Sequence, residues 1–380
     1  MHIDTRRWRS LEDANLTDQL RQFVAAEVDP RAEELDRDDR YPDEIIAMTA
    51  ARGWNSLTLP HDVGGGASSM SRLLTVFEEL SVGSAIVGIS LITIFQSQKL
   101  IDAFGSASLR QRLLPRYRDG MRAAYALTER AHGSDIRSLD TKAARQANGS
   151  WHVRGQKAFI TSGSAADLFV VLAETDAGVS VFAVPRETTG LHTEETAEAQ
   201  TFGLRNGPHV DLHLDCLLPP DALIGEEGRG LKQAMVTLAN SRVLAAGISL
   251  GIARAAFDAA LQYAIGRSAF SSRVIDFQGI QWYFAEAAAR IDAARLLTHQ
   301  AACDLDAGRD IARSSSEAKL FASSVATEVA EMAVQVCGAH GTRTSSPFGR
   351  YLRDAKTYEI AGGSSEILKN TIAKSLIGAR

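Results

Sequence analysis

The chain has 380 residues, 45% hydrophobic and 23% charged, with a formal net charge of -5, enough for two or three structural units with sizeable cores. Its lysines and arginines are dispersed, which argues against a nucleic-acid stripe or a basic membrane anchor. Cys216, Cys303 and Cys337 are odd in number and far apart, neither a disulfide framework nor a metal-ligand spacing, so a reducing, cytoplasmic setting is expected.

The opening run MHIDTRRWRSLED carries charges with no apolar stretch behind them and does not read as a secretory signal. Up to about residue 120 the pattern is helical: Leu16, Leu20, Phe23 and Val24 recur at helix spacing, as do Leu73, Leu74, Phe77 and Leu80. Pro30, Pro42 and the turn-rich run 60–66 punctuate these segments. The longest apolar stretch, residues 85–95, is too short to span a bilayer and is interrupted by Gly88 and Ser90; a buried helix is expected there. Between about 121 and 230 the period becomes two. Val210, Leu212 and Leu214 alternate with Asp211, His213 and Asp215, and the runs 169–172 and 179–184 are short and apolar, as in the strands of a small antiparallel unit. Helical signals return from about 231. Leu244, Ile248 and Ile252 share a face, and Gly247 and Gly251, four apart, allow another helix to approach closely. Further helices are indicated around 276–306, 314–338 and 365–377. The expected architecture is mainly α with a central β unit: an N-terminal helical domain at 1–120, a middle β domain at 121–230 and a C-terminal helical domain at 231–380, packed as one body.

Several motifs are missing. There is no G-x-G-x-x-G after a strand, no phosphate-binding G-x-x-x-x-G-K-[ST], no G-x-S-x-G and no H-E-x-x-H; Gly64, Gly65 and Gly66 read as a turn. His209, Asp211 and His213 fall on one face of a strand, and that face reads as solvated polar surface. No metal is expected.

Two segments carry more. Tyr125, Leu127, Thr128 and Glu129 run into Gly133, Ser134 and Asp135: a strand ends in hydroxyl residues and a turn, leaving amides and hydroxyls free for a flat polar heterocycle. Farther on, the stretch from Gln156 to Gly163 supplies the ring of Phe159 and the hydroxyl of Thr161. Together they resemble the acyl-CoA dehydrogenase family, and the likeness covers essentially the whole chain. Arg242, Arg267, Phe270, Asp276-Phe277-Gln278, the run from Gln335 through Gly338 to Gly341, Arg353-Asp354-Ala355-Lys356 and Gly363-Ser364-Ser365-Glu366 follow in the family's order.

The resemblance implies a C-terminal four-helix bundle and FAD as cofactor. Tyr125, Leu127, Thr128, Ser134, Phe159 and Thr161 would cradle the isoalloxazine ring. Arg267, Phe270, Gln278 and Ser364 would meet the rest of the cofactor, with Gln335 and Gly338 supplied by a neighbouring subunit. A homodimer or homotetramer follows, together with an acyl-CoA or acyl-carrier-protein thioester as substrate and an electron acceptor for the reduced flavin. On the substrate side it implies Ser134, Arg242 and the backbone of Gly362. The departure is equally informative. The family's catalytic glutamate precedes the Gly-Thr-Ser-type turn, where this chain has Gly362; the alternative position, just before the helix arginine, holds Ser241. Glu359 and Glu366 are out of register and read as structural.

Two reactions are therefore expected in competition: α,β-dehydrogenation of an acyl thioester with a base from elsewhere, or oxidation of a hydroxyacyl group on a carrier protein. A catalytically silent FAD-binding subunit and, more distantly, a flavin monooxygenase complete the set. The polar residues Ser90, Thr93, Gln96 and Ser97 on the expected acyl side suggest a short or oxygenated acyl group.

Overall fold

Apolar residues at three- and four-residue spacing, with polar caps at the starts, produce the N-terminal helices. In the computed structural model, which describes residues 13–195 and 200–378, these are α1 (Ala14–Phe23), α2 (Ala32–Asp38), α3 (Asp43–Ala51), α4 (Met70–Gly83), α5 (Ala85–Phe104) and α6 (Ala107–Arg118). Asp13, Ser69 and Ser106 each accept an amide hydrogen bond from the first turn of the helix they precede, satisfying donors that have no partner within the helix. Residues 1–12 of the amino-terminal run read above for a targeting signal lie outside the described residues.

The strands follow as β1 (Ala123–Ala126), β2 (Lys142–Arg145), β3 (Trp151–Ile160), β4 (Leu168–Thr175), β5 (Gly178–Pro185), β6 (Leu191–Glu194), β7 (Val210–Leu218) and β8 (Leu223–Ile224). They form one sheet in the order β6-β7-β3-β2-β4-β5-β8, with β1 beside β4. Most pairings are antiparallel, as the hairpin-like spacing suggests. β1 and β2, however, each run parallel to β4, because the β2–β3 excursion intervenes before the chain returns in its original direction. Between Lys157 and Ile160 the β3–β7 register shifts, and Phe159 sits there at φ 57°. Such a bulge bends the strand and re-aims a side chain.

The C-terminal part begins with α7 (Gly230–Gly266). A short hairpin of β9 (Ser268–Ala269) and β10 (Ser272–Arg273) leads to α8 (Gln278–Asp306), α9 (Ala312–Cys337), α10 (Phe348–Tyr358) and α11 (Ser365–Ile377). The expected close approach is present. A Cβ on Gly247 would lie 2.5 Å from Leu74 Cδ1, and one on Gly251 would lie 2.6 Å from the carbonyl oxygen of Glu78, so α4 rests directly on the α7 backbone. Helix α10 is an addition to the expected elements. Its inward face mixes Phe348, Ala355 and Tyr358 with buried Arg350 and Asp354, which breaks the apolar stripe. The apolar run at 85–95 belongs to a longer helix: α5, α7 and Ala312–His340 are each long and apolar enough to cross a bilayer, but 83%, 89% and 56% of their apolar windows are buried within the protein.

A buried charge cluster joins α4, α7 and α8. Arg254 donates to Glu78 and Glu79 at 2.8 Å each, and Arg295 donates to Glu78. Burial alone would raise the Glu78 pKa, but Arg295 and Arg254 outweigh it and hold the carboxyl at about 2. Its stabilising contribution is therefore complete above the ordinary carboxylate range and is lost as pH falls through that range toward 2. Replacing Glu78 by Leu strands Arg295 without its carboxylate and is expected to cost about 3–5 kcal/mol. The check is thermal unfolding at fixed protein concentration, where the variant should melt well below the parent at neutral pH and converge with it in acid.

Candidate functional site

The ends of β1 and β3 are tied together. The Ala158 amide donates to the Thr128 carbonyl at 2.9 Å. Fully buried Lys157 donates to the Leu127 carbonyl at 3.2 Å and to Glu129 at 2.7 Å, and Glu129 also accepts the amides of Asp140 and Thr141. Burial pushes the Lys157 pKa down to about 8 against the pull of Glu129. This joint brings Tyr125, Leu127 and Thr128 beside the Phe159–Thr161 turn. The bulge turns Phe159 outward, 48% exposed, while the Tyr125 hydroxyl is buried with no protein partner. Ser134 lies exposed in the loop after β1.

Behind the turn a polar network binds it to α5. Ser162, in the left-handed region at φ 60°, accepts from Thr93 at 3.1 Å and from the Asn206 amide at 2.9 Å; Asn206 also donates to Ser90 at 3.2 Å. All four side chains are buried. Asn206 and Ser162 were not singled out from sequence, because their relation joins the turn after β3 to the loop before β7, 44 residues apart.

A second cluster lies where α7 and α9 meet the turn before α11. Arg242, 3% exposed, places Nε 3.5 Å from the Gly362 carbonyl oxygen and donates Nη1 to Ser316 at 3.3 Å; burial lowers its pKa. Lys319, fully buried, donates to the Gly363 carbonyl at 2.8 Å. It too escaped notice in the sequence, although helical spacing from Ala322 and Ala326 puts it on the buried face of α9. Ser364 caps α11 by accepting the Ile367 amide. Gly362 has φ 70°, and a Cβ there would meet nothing within 4 Å. Ser241 donates to the Leu238 carbonyl at 3.1 Å and accepts from Gln96 at 3.2 Å; neither neighbour takes up a proton, so this serine has no base beside it. Glu359 is paired with Lys356 at 2.8 Å. Burial raises its pKa, but hydrogen bonds from Lys356 and Thr327 leave it below the ordinary value, which suits a structural carboxylate. Glu366 is exposed in the first turn of α11, its pKa lowered by its own amide and the Ser364 hydroxyl.

The third group is open. Arg267, Phe270 (93% exposed) and Gln278 surround the β9–β10 hairpin. Gln335 and Gly338 lie exposed at the end of α9, and no hydrogen bond among the described residues joins them to that hairpin. The strand face considered for a metal is dispersed: Asp211 pairs with Arg130 at 2.7 Å, His213 with Glu194 at 2.9 Å, and half-buried His209 has its pKa lowered to about 4 by burial.

Family models for the acyl-CoA dehydrogenase N-terminal, middle and C-terminal domains match residues 10–121, 124–216 and 228–377. The chain belongs to the acyl-CoA dehydrogenase family. It is 35% identical to the mouse mitochondrial short-chain specific acyl-CoA dehydrogenase over 366 residues, 94% of this chain and 88% of the relative. It is 33% identical to the probable acyl-CoA dehydrogenase fadE25 of Mycobacterium leprae over 367 residues, 94% and 93% of the two chains. Among solved structures, a Mycobacterium smegmatis glutaryl-CoA dehydrogenase in complex with FADH2 superposes with a TM-score of 0.91 at 25% identity, covering 99% of this chain and 97% of that one. Family membership makes the protein a flavoenzyme oxidoreductase. The residues present fit FAD: an outward-turned ring at Phe159, an unpartnered hydroxyl at Tyr125 and exposed aromatic and cationic groups at the hairpin are features a flat heterocycle and its charged tail would cover.

Asn206→Leu should leave Ser90 and Ser162 with unmet hydrogen bonds, at a cost of about 1–3 kcal/mol. Because the network holds the turn bearing Thr161, purified variant protein is expected to retain less flavin per chain, as read from visible absorbance against total protein.

Proposed function

We propose that the chain oxidises an acyl thioester at a carbon bearing a hydroxyl group, with α,β-dehydrogenation as the second reading. The observation that carries this choice is the open space at Gly362 combined with the self-contained hydrogen bonding of Ser241, which leaves both of the positions expected for a base without a carboxylate. Removing an unactivated α-hydrogen needs a carboxylate aimed at carbon, in a dry site that raises its pKa. A hydroxyl proton is far more acidic and passes to water, so no side chain has to reach the carbon.

Tyr125, Leu127, Thr128, Phe159 and Thr161 would hold the ring of FAD, with Arg267, Phe270 and Gln278 toward its adenine end. When bound, FAD supplies the hydride acceptor. The Gly362 amide would donate to the thioester carbonyl, a contact that needs no side chain. Arg242 and Lys319 hold the carbonyls of Gly362 and Gly363 from behind. A trans peptide points its N–H opposite to its C=O, so these two grips turn the amides of Gly363 and Ser364 away from the cations. Gln96, kept in place by Ser241, offers an amide on the acyl side that suits an oxygenated chain. The names of the relatives favour dehydrogenation of short acyl-CoA thioesters and keep that reading in view. Exposed Trp282, Tyr283, Leu296 and Leu297 on α8 support assembly into a homodimer or homotetramer, which would supply Gln335 and Gly338 to a neighbouring cofactor.

Anaerobic mixing with matched saturated and hydroxyacyl thioesters, followed by visible flavin absorbance, tests the choice. Bleaching by the hydroxyacyl member alone is expected. Bleaching by the saturated member would establish dehydrogenation instead, and bleaching by neither would point to a silent subunit. Gly362→Glu places a carboxylate where a Cβ meets nothing within 4 Å, at the cost of a left-handed φ of 70°, and it should raise flavin reduction by the saturated thioester by roughly 10²-fold, the usual yield of a positioned base.

A further inference from the structure

Two residues of β3, Ala158 and Phe159, stand opposite the single residue Asp211 of β7, because the register passes from Lys157–Leu212 to Ile160–Val210. In such a bulge the extra residue is left out of the ladder. The Phe159 amide donates instead to Asp211 Oδ1 at 3.3 Å. The other oxygen of that carboxylate accepts Arg130 Nη2 at 2.7 Å and Nε at 3.2 Å. Asp211 is buried and Arg130 is exposed. Arg130 directly follows Glu129, whose carboxylate goes to buried Lys157. The two segments expected to carry the flavin ring are therefore joined twice, on the inside through Lys157 and on the outside through Arg130 and Asp211.

The outer joint acts on a strained residue. Phe159 has φ 57°, a conformation unfavourable for a bulky side chain that persists only where the surroundings fix it. On one side of it the Ala158 amide is tied to the Thr128 carbonyl at 2.9 Å, and on the other Ile160 is back in the ladder. Between them the Phe159 amide is held by the Asp211 carboxylate, and that carboxylate is held by Arg130. Without this grip the residue can relax toward the extended region, which re-aims both its N–H and its ring. We propose that Arg130 and Asp211 are positioning residues for the cofactor: acting through the Phe159 peptide, they keep the Phe159 ring turned toward the flavin and so set how tightly the protein retains it. This rests on the FAD reading above and adds to it residues that act through another side chain.

The test is the rate at which the FAD-loaded, full-length protein releases its cofactor on dilution, read as the rise of flavin fluorescence. Arg130→Met should speed release roughly tenfold, the size of one charge-assisted hydrogen-bonded contact, and Arg130→Lys should recover most of the parent's retention. Asp211→Leu, which removes the acceptor of the Phe159 amide as well, should speed release further. A pair that merely stabilises the fold would act in any background. In Phe159→Gly protein, where neither the ring nor the strain remains, Arg130→Met should leave the release rate unchanged. Parent-like release from Arg130→Met, or the same acceleration in the Phe159→Gly background, overturns the proposal and leaves the FAD reading standing. Purified parent protein that takes up no FAD overturns both.

Discussion

The contact between α4 and the glycine face of α7 is the constraint on which the rest of the molecule depends. Gly247 and Gly251 have no side chains to hold α4 off, and Leu74 and the Glu78 backbone occupy the space that a Cβ would need. About one and a half turns before that contact, the same helix carries Ser241 and Arg242. Farther along, it places Arg254 between Glu78 and Glu79. A shift of α7 relative to α4 would therefore disturb the apolar packing, the buried ion cluster and the Gln96–Ser241 contact together. Helix positions in close-packed interiors are discrete, so such a shift is not a smooth adjustment.

The site is assembled from groups that are individually unremarkable. β1 and β3 are joined by the Ala158–Thr128 hydrogen bond and the buried Lys157–Glu129 pair, which puts two strand ends on one platform. The bulge in β3 then turns Phe159 outward, and the Asn206–Ser162–Thr93 network ties that turn to α5. Across from it, a two-glycine turn hangs from Arg242 and Lys319. The ring-binding side is held by hydrogen bonds between backbone and buried polar side chains, whereas the two-glycine turn is held through its backbone carbonyls by buried cations.

Much of this was legible in the amino-acid sequence. The helix-strand-helix order, α8, α9 and α11, and the role of Gly247 and Gly251 followed from periodicity, which reports the local geometry of an element whatever its neighbours. The ordered markers from Tyr125 to Glu366 identified the family, and the glycine at 362 announced the missing carboxylate. α10 was hidden because Arg350 and Asp354 interrupt its apolar stripe. They are buried through partners elsewhere in the chain, such as the Leu204 amide that donates to Asp354.

What the chain alone determined was which segments are helices or strands, which residues are available for chemistry and which are absent. Only the tertiary structure decided strand direction beside β4, the grouping of Ser90, Thr93, Ser162 and Asn206, and the pairing of Arg242 with Lys319 behind the Gly362–Gly363 turn. The reason is the range of the interactions. Periodicity and capping act over a few residues and leave a mark at fixed spacing. A buried cation, by contrast, is defined by what does not approach it from segments more than 40 residues away, and no local pattern records that.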